Sequence, residues 1–245
     1  MLSFLKSKPI LKDLLGGNFV DIHSHVLPGI DDGARNITKS TELVLSLQKL
    51  GVSQIITSPH IKHYVWENSP EIIASKLQET QKALEENKIK MPLQAAAEYF
   101  IDSWFENHFE EEKLLTLKDN YVLVEMSYQN APLNIYKTIF EIQLAGYIPV
   151  LAHPERYVFY HNAFSEYEKL KNAGCIFQLN LLSTVDYYGS KIGKIADELL
   201  AKGMYTFCGT DVHHKKHIEA FDEKVKIKNV DSLKEIIANN QFFKF

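Results

Sequence analysis

Phe19-Val-Asp-Ile-His-Ser-His-Val-Leu-Pro-Gly-Ile-Asp-Asp-Gly33 packs two imidazoles and three carboxylates into fifteen residues. Val20, Ile22 and Val26 give its first half strand character. Alternation along a strand puts Asp21, His23 and His25 on one face. Pro28-Gly29 breaks the run, and Asp31-Asp32-Gly33 turns the chain so that a carboxylate can fold back toward the histidines. Two imidazoles and a carboxylate at a strand end suit a divalent metal. An isolated His-x-His also arises by chance in surface loops, so the rest of the chain has to decide its meaning.

Downstream, apolar runs alternate with helical patterns about seven times. After the opening strand come strands over Gln54–Pro59, Leu93–Tyr99, Tyr121–Met126, Ile148–Ala152, Cys175–Asn180 and Tyr205–Thr210. Helices are expected over Thr38–Leu50, Pro70–Asn87 (Ser69 as N-cap), Ile101–Leu115, Pro132–Leu144, Phe164–Asn172, Ser190–Ala201 and Val230–Asn239. Such alternation implies a parallel sheet. Ligand-type residues stand at the C-terminal ends of six of the seven strands: His23 and His25, His60, Glu98, Glu125, His153, and Asp211 with His213. An open sheet strings strand ends along a line, whereas a barrel rings them around one mouth. The expected fold is therefore α/β, a (β/α)7 barrel or a distorted TIM-like relative, with a metal site at the C-terminal strand ends.

The 245 residues are 45% hydrophobic and 24% charged, with a net charge of -4, which fits a globular protein and argues against nucleic-acid binding. Cys175 and Cys208 lie in apolar runs and read as buried, reduced thiols of a cytosolic protein. Met1–Pro9 lacks the apolar core of a signal peptide, and no stretch is long enough to cross a membrane. The expectation is a cytoplasmic protein without membrane insertion. Ile10–Leu15 reads as a short amphipathic cap on the domain, within an N-terminal extension over residues 1–18 that precedes a single barrel domain over 19–245.

With Asp32 added, the candidates are His23, His25, Asp32, His60, Glu98, Glu125, His153, Asp211 and His213. Nitrogen and oxygen donors without thiolate suit manganese, iron(II) or zinc in a reactive site. Three divalent ions against four carboxylates and a bridging hydroxide leave a small positive charge, which attracts a phosphate. Clustered metals acidify a shared water and clamp both oxygens of an in-line displacement, so phosphoester hydrolysis is the natural reaction. Only two arginines occur, Arg35 and Arg156, and each lies near a candidate ligand. Arg156, three residues after His153, is the expected phosphate-binding and transition-state residue, because a guanidinium fork pairs with phosphate oxygens. Arg35 reads more simply as a residue at a helix start. Tyr99, Tyr128 and Tyr157 suit either an aromatic pocket or core packing; His63, His214 and His217 read as solvent-facing. A thiolate phosphatase needs Cys-x5-Arg, but Leu181 and His214 stand six residues after the two cysteines.

Asp21-Ile-His-Ser-His-Val-Leu-Pro-Gly-Ile-Asp-Asp-Gly33, Ser58-Pro-His60, Glu98, Glu125, His153-Pro-Glu-Arg156 and Asp211-Val-His213 resemble the polymerase and histidinol phosphatase (PHP) superfamily. More closely, they resemble its bacterial capsule- and exopolysaccharide-associated protein-tyrosine phosphatases, from about Phe19 to Lys216. The resemblance implies a distorted (β/α)7 barrel and three divalent metal ions, with manganese expected and iron or zinc the alternatives. It also implies hydrolysis of phosphotyrosine, on a bacterial tyrosine autokinase that controls capsule or exopolysaccharide synthesis. By position, His23, His25, Glu98 and Asp211 would hold one metal. Glu98 would bridge to a second with Glu125 and His153, and Asp32, His60 and His213 would hold the third, with Asp31 an alternative to Asp32. Arg156 matches the family's phosphate-binding arginine. The expected mechanism is direct attack of a metal-bridging hydroxide on phosphorus, with no phospho-enzyme. This chain departs from the pattern in its 18-residue extension and in carrying Lys215 and Lys216 where relatives often have arginine, which leaves a second basic phosphate contact open. Competing expectations are a PHP-type phosphatase of a small phosphomonoester such as histidinol phosphate, an amidohydrolase, and a metal-bound kinase partner without activity.

Overall fold

The apolar runs become nine short strands in a computed structural model that describes residues 7–245. They are β1 (Phe19–Asp21), β2 (Val52–Thr57), β3 (His60–Ile61), β4 (Leu93–Ala95), β5 (Glu98–Phe100), β6 (Tyr121–Glu125), β7 (Ile148–Ala152), β8 (Ile176–Asn180) and β9 (Tyr205–Gly209). All of their pairings are parallel, in two sheets ordered β1-β2-β4 and β3-β5-β6-β7-β8-β9. Nine strands replace the expected seven because two are broken. Ser58-Pro59 separates β2 from β3, where proline has no N–H to give the ladder. Ala96-Ala97 separates β4 from β5. Pairing continues across both breaks: Ala96 N donates to Thr57 O (2.8 Å) and Glu98 N to Pro59 O (3.0 Å).

The remaining seam lies between β9 and β1. Beyond the ends of both strands, Asp211 N donates to His23 O (2.7 Å), His25 N donates to Val212 O (2.9 Å), and Ser24 bridges Val212 in parallel. Lower down, side chains span the gap. Buried Asn240 donates through Nδ2 to both Val20 O (2.8 Å) and Cys208 O (2.7 Å), and accepts from Cys208 N at 3.1 Å. Asp21 accepts from Thr210 N (2.9 Å) and Thr210 Oγ1 (2.7 Å). Asp21 thus holds the seam, and because β1 ends at Asp21 the strand alternation expected through His25 does not continue to the histidines. Burial pushes the Asp21 carboxyl up to about 6, and the Thr210 hydrogen bonds and the neighbouring His23 oppose that rise.

Helices form where an amphipathic run meets a cap. α1 (Ile37–Lys49) starts at Asn36, whose side chain accepts from Lys39 N. α2 (Pro70–Glu86) starts at Ser69, which accepts from Ile72 N, with Pro70 at the first turn. α3 (Ser103–His108) corrects the expectation of a helix over Ile101–Leu115. Its cap is Asp102, and it ends after six residues because Glu110-Glu-Glu-Lys113 supplies nothing apolar to bury. Further helices are α4 (Ile135–Leu144), α5 (Ser165–Asn172), α6 (Ser190–Ala201), α7 (Lys215–Ala220) and α8 (Val230–Asn239). α7 was not expected, since its six residues are too few to show a period.

Part of the N-terminal extension is built into the same core. Leu11 N donates to Glu223 O (2.9 Å), Val225 N donates to Pro9 O (3.0 Å), and Leu11 and Leu15 are buried. Each of those two leucines is worth roughly 1.5–3 kcal/mol of apolar burial. Residues 1–6, which begin the Met1–Pro9 stretch judged not to be a signal peptide, lie outside the described residues. Cys175 and Cys208 are free and buried. Among the described residues no helix is long and apolar enough to cross a membrane.

Candidate metal centre

The nine candidate ligands come from segments as far apart as residues 23 and 213, yet their side chains meet at one mouth. Glu98, at the start of β5, is the centre. Its Oε2 lies 3.1 Å from His23 Nε2, 3.4 Å from His25 Nε2 and 3.1 Å from His60 Nδ1; its Oε1 lies 3.3 Å from His153 Nε2. Asp211 Oδ1 is 3.3 Å from His23 Nε2 and 3.5 Å from His25 Nε2. Glu125 Oε1 is 3.1 Å from His60 Nδ1. Asp32 Oδ1 stands 3.5 Å from His60 Nε2 and 3.4 Å from His213 Nε2.

Proximity here is not hydrogen bonding. His23 Nε2, His25 Nε2, His60 Nδ1 and both oxygens of Glu98 are buried with no hydrogen-bond partner. Buried polar atoms without partners are costly and rare in native proteins. So many aimed at one small space is what a set of cation ligands looks like before the cation is counted. Four sets of these atoms lie close enough to share an ion: His25, Asp32, His60 and His213; His23, Glu98 and His153; His23, His25 and Asp211; and His60, Glu98 and Glu125. The grouping differs from the positional one in three respects, the first being that His153 stands with His23 and Glu98 and not with Glu125. His60 stands with Glu98 and Glu125 as well as with Asp32, because its two ring nitrogens face opposite ways. His25 stands with both Asp211 and Asp32.

The backbone is strained where it delivers ligands. His153 (φ 36°) and Asp211 (φ 51°) are both left-handed, an arrangement that costs a residue with a side chain roughly 1–3 kcal/mol. Close packing helps to aim His23 and His25. A Cβ on Gly209 would come within 2.5 Å of His23 Cβ, and one on Gly33 would collide with the His25 carbonyl.

Outer partners orient the ligands, as is general in metal sites. His25 Nδ1 pairs with Asp31 Oδ2 (2.8 Å), and Asp31 also accepts from Gly33 N (3.0 Å). Asp31 is thereby committed to the imidazole's far side, while Asp32 faces the other histidines. His23 Nδ1 pairs with Gln178 Oε1 (2.8 Å), and Asn180 donates to Asp211 Oδ2 (2.7 Å). Asp31→Asn keeps the shape but removes the charge that holds His25. Its metal affinity should fall about 10–100-fold, measured by competition with a chelator; an unchanged affinity would show that Asp31 only shapes the turn.

Arg156 Nη1 donates to Asp211 Oδ2 (2.8 Å), and its guanidinium is held between two aromatic rings, 4.1 Å from the Tyr188 centroid and 4.7 Å from that of Tyr128. Glu155 is not its partner. Glu155 is buried and accepts from Asn180 N (3.0 Å), Ser183 Oγ (2.8 Å) and Tyr205 OH (2.9 Å), which pins the 3-10 turn Pro154–Arg156 to the barrel. Arg156, Tyr128 and Tyr188 line a cavity of about 450 Å3 together with His60, Glu125, His153, Asp211 and His213. Trp66 and Phe100 add to its aromatic wall, with Trp66 stacked on His60 at 4.7 Å.

Other candidates separate cleanly. Tyr99 and Tyr157 are buried core residues; the Tyr157 hydroxyl accepts from Met126 N and donates to Ala152 O. Of the three tyrosines only Tyr128 faces the cavity. His217 corrects the solvent-facing expectation: it is buried, and its Nδ1 accepts from His213 N (3.2 Å). Burial and the neighbouring His214 push it down to about 3, so the ring stays neutral, with the Asp211 carbonyl also 3.1 Å from the same Nδ1. Gln178, Asn180 and Glu155 are the supporting residues that sequence reasoning passed over, while Asp31, expected as an alternative to Asp32, takes the far side of His25 instead. A signal was present in Gln178 and Asn180, two polar residues at alternate positions of an otherwise apolar strand.

Burial opposes protonation of His60, but the facing Glu125 and Glu98 carboxylates outweigh it and raise the ring to about 10 in the metal-free chain. That lies above the free value of 6.5, so the protonated ring stabilises the metal-free fold fully below pH 6.5. The contribution is lost as pH rises through 10. Coordination needs the neutral ring. Metal loading at pH 8 should therefore release at least one proton per chain, and affinity should climb with pH up to about 10. Indicator-monitored titration in weak buffer checks this, and a pH-independent affinity would contradict it.

Comparison with known proteins agrees with this geometry. The chain is 29% identical over 198 residues to the tyrosine-protein phosphatase YwqE of Bacillus subtilis, covering 80% of this chain and 78% of YwqE. It is 28% identical over 195 residues to the putative tyrosine-protein phosphatase CapC of Staphylococcus aureus, covering 79% and 76%. A solved structure from work on YwqE of B. subtilis and CpsB of Streptococcus pneumoniae, described as unique metal-dependent tyrosine phosphatases, superposes with a TM-score of 0.77 at 26% identity. That match covers 92% of this chain and 88% of the other. The sequence model of the family described as capsular polysaccharide synthesis, CpsB/CapC, matches residues 19–237, and the chain belongs to that family.

Proposed function

We propose that this chain is a metal-dependent protein-tyrosine phosphatase. The observation that carries the reading is the meeting of buried, unpartnered imidazole and carboxylate atoms on one cavity floor beside a guanidinium held by Asp211 and two tyrosine rings. Divalent ions bound there supply Lewis acidity, acidifying water and offsetting the charge of phosphoryl oxygens. Three ions, with manganese foremost, would be held by His23, His25, Glu98 and Asp211; by Glu98, Glu125 and His153; and by Asp32, His60 and His213.

The protein's own groups do the rest. Arg156 presents its fork to phosphate oxygens, and its two flanking rings and Asp211 keep it from swinging away. Trp66, Phe100, Tyr128 and Tyr188 form a cavity wall suited to a phenyl ring. A departing phenolate, with a pKa of about 10, needs little help from an acid. The cysteines take no part, being buried thiols held well above their ordinary range by burial. The family description, capsular polysaccharide synthesis, together with the relatives' names as tyrosine-protein phosphatases, supports a bacterial tyrosine kinase of capsule or exopolysaccharide synthesis as the protein substrate, with the reaction, on this reading, in the cytoplasm. Residues 19–245 are the barrel domain of this reading and residues 1–18 its extension.

The test is phosphate release from a phosphotyrosine peptide by chelated protein, with manganese, iron(II) and zinc returned singly, and histidinol phosphate run alongside. Turnover restored by metal and favouring the peptide is expected. Preference for histidinol phosphate, or turnover indifferent to chelation, would overturn the assignment.

A further inference from the structure

A second groove adjoins the metal cavity. It has a volume of about 710 Å3 and runs between α1 and the start of α7. Its walls carry Arg35, Lys39, Lys49, Lys215 and Lys216 against a single carboxylate, Glu42. In a chain of net charge -4 this is a local reversal of sign. Two of the lysines are engaged, Lys39 with Glu42 at 2.6 Å and Lys215 with Glu219 at 3.3 Å. Among the described residues Arg35, Lys49 and Lys216 have no ion-pair partner.

The cations follow a spacing. Lys39, Glu42, Ser46 and Lys49 recur every three or four residues, which places them along one face of α1, and Arg35 stands just before its cap, Asn36. Thirteen helical residues rise roughly 20 Å, the span of about six residues of extended polypeptide. The groove is continuous with the candidate active site, because His213 and His214 line both cavities. Its large apolar lining is Leu43, which is buried, and Leu45, which is half-buried, so it offers no fully exposed apolar group of the kind a membrane-binding surface inserts.

We infer that this groove binds a carboxylate-rich segment of the substrate polypeptide next to the phosphotyrosine being cleaved. The inference rests on the phosphatase reading and names the kind of protein substrate the site takes. Cations on the rim of a site steer an acidic partner and raise its affinity, with little effect on the chemical step. A small phosphate ester, which never reaches the groove, gains nothing from it.

The test compares the manganese-loaded protein with the double variant Arg35→Glu, Lys49→Glu; neither residue lines the metal cavity. Phosphotyrosine peptides carry four Glu on the N-terminal side, four Glu on the C-terminal side, or four Gln in their place. Turnover and fluorescence-anisotropy Kd are both measured, with p-nitrophenyl phosphate as the small substrate. At least one Glu-flanked peptide should bind wild type more tightly than its Gln twin. In the variant its Kd and KM should rise about 5–20-fold with kcat kept, while the Gln peptide and p-nitrophenyl phosphate move less than twofold. Equal losses on Glu and Gln peptides, no loss on either, or tighter binding to phosphatidylserine vesicles than to any peptide would overturn the inference. Absent turnover of every phosphotyrosine peptide would instead count against the phosphatase reading, and the Kd comparison would still decide the groove.

Discussion

Glu98→Gln should lower kcat/KM on a phosphotyrosine peptide by at least about 1,000-fold, the equivalent of several kcal/mol of lost charge stabilisation. No other side chain in the site approaches as many ligands: four imidazole nitrogens lie between 3.1 and 3.4 Å from its two oxygens. The cluster of imidazoles holds its carboxyl well below the usual range despite complete burial, so it is an anion throughout the working pH range. An amide of the same shape has one oxygen, no charge, and two N–H groups facing lone pairs that should face cations. Metal content by elemental analysis should fall in parallel, and the thermal transition of the chelated protein should fall as well, because the protonated imidazoles around Glu98 lose the buried carboxylate that offsets them. Activity within tenfold of wild type would show that Glu98 is not central to the chemistry.

Arg156→Lys should reduce kcat/KM about 100- to 1,000-fold with metal content unchanged, the scale seen when one preorganised donor to a developing charge is removed. Lysine keeps the positive charge but loses three features of this site. It has no planar fork for two phosphate oxygens, and it cannot stack between Tyr128 and Tyr188 as a guanidinium does. It also cannot bond to Asp211 and still present a second donor in fixed geometry. Inhibition by inorganic phosphate should weaken in step, which separates a phosphate contact from a purely structural one. If Arg156 served only to hold Asp211, the loss would appear first in metal content, and phosphate inhibition of the loaded fraction would be unaltered.

Much of the architecture was legible because its signals are local. Strand and helix alternation, Ser69 as a cap with Pro70 after it, and glycines closing several helices are read within a few residues. The candidate ligands were legible for a related reason: parallel strands bring their C-terminal ends to one side, so ligand-type residues at those positions need no further coordinates to be suspected. What escaped is non-local. Nothing in Ala96-Ala97 announces a break inside the expected strand Leu93–Tyr99, and nothing after Ser58-Pro59 announces that the ladder resumes at His60. A six-residue α7 is too short for a period. His217 looks like any histidine four residues after another, and only the packing of α7 buries it.

The sequence by itself determined the parallel α/β class, the candidate donor set of imidazoles and carboxylates, the lack of a Cys-x5-Arg motif, and the two arginines, of which Arg156 is the expected phosphate contact. Only the tertiary structure decided which residues serve which. Asp31 turns to His25 while Asp32 turns to His60 and His213, Asp21 is drawn into the seam with Thr210, Glu155 anchors the turn, and Arg156 is left to face the cavity. The reason is physical: spacing fixes the face a side chain leaves from, but a carboxylate's partner depends on which donors other strands bring within about 3 Å.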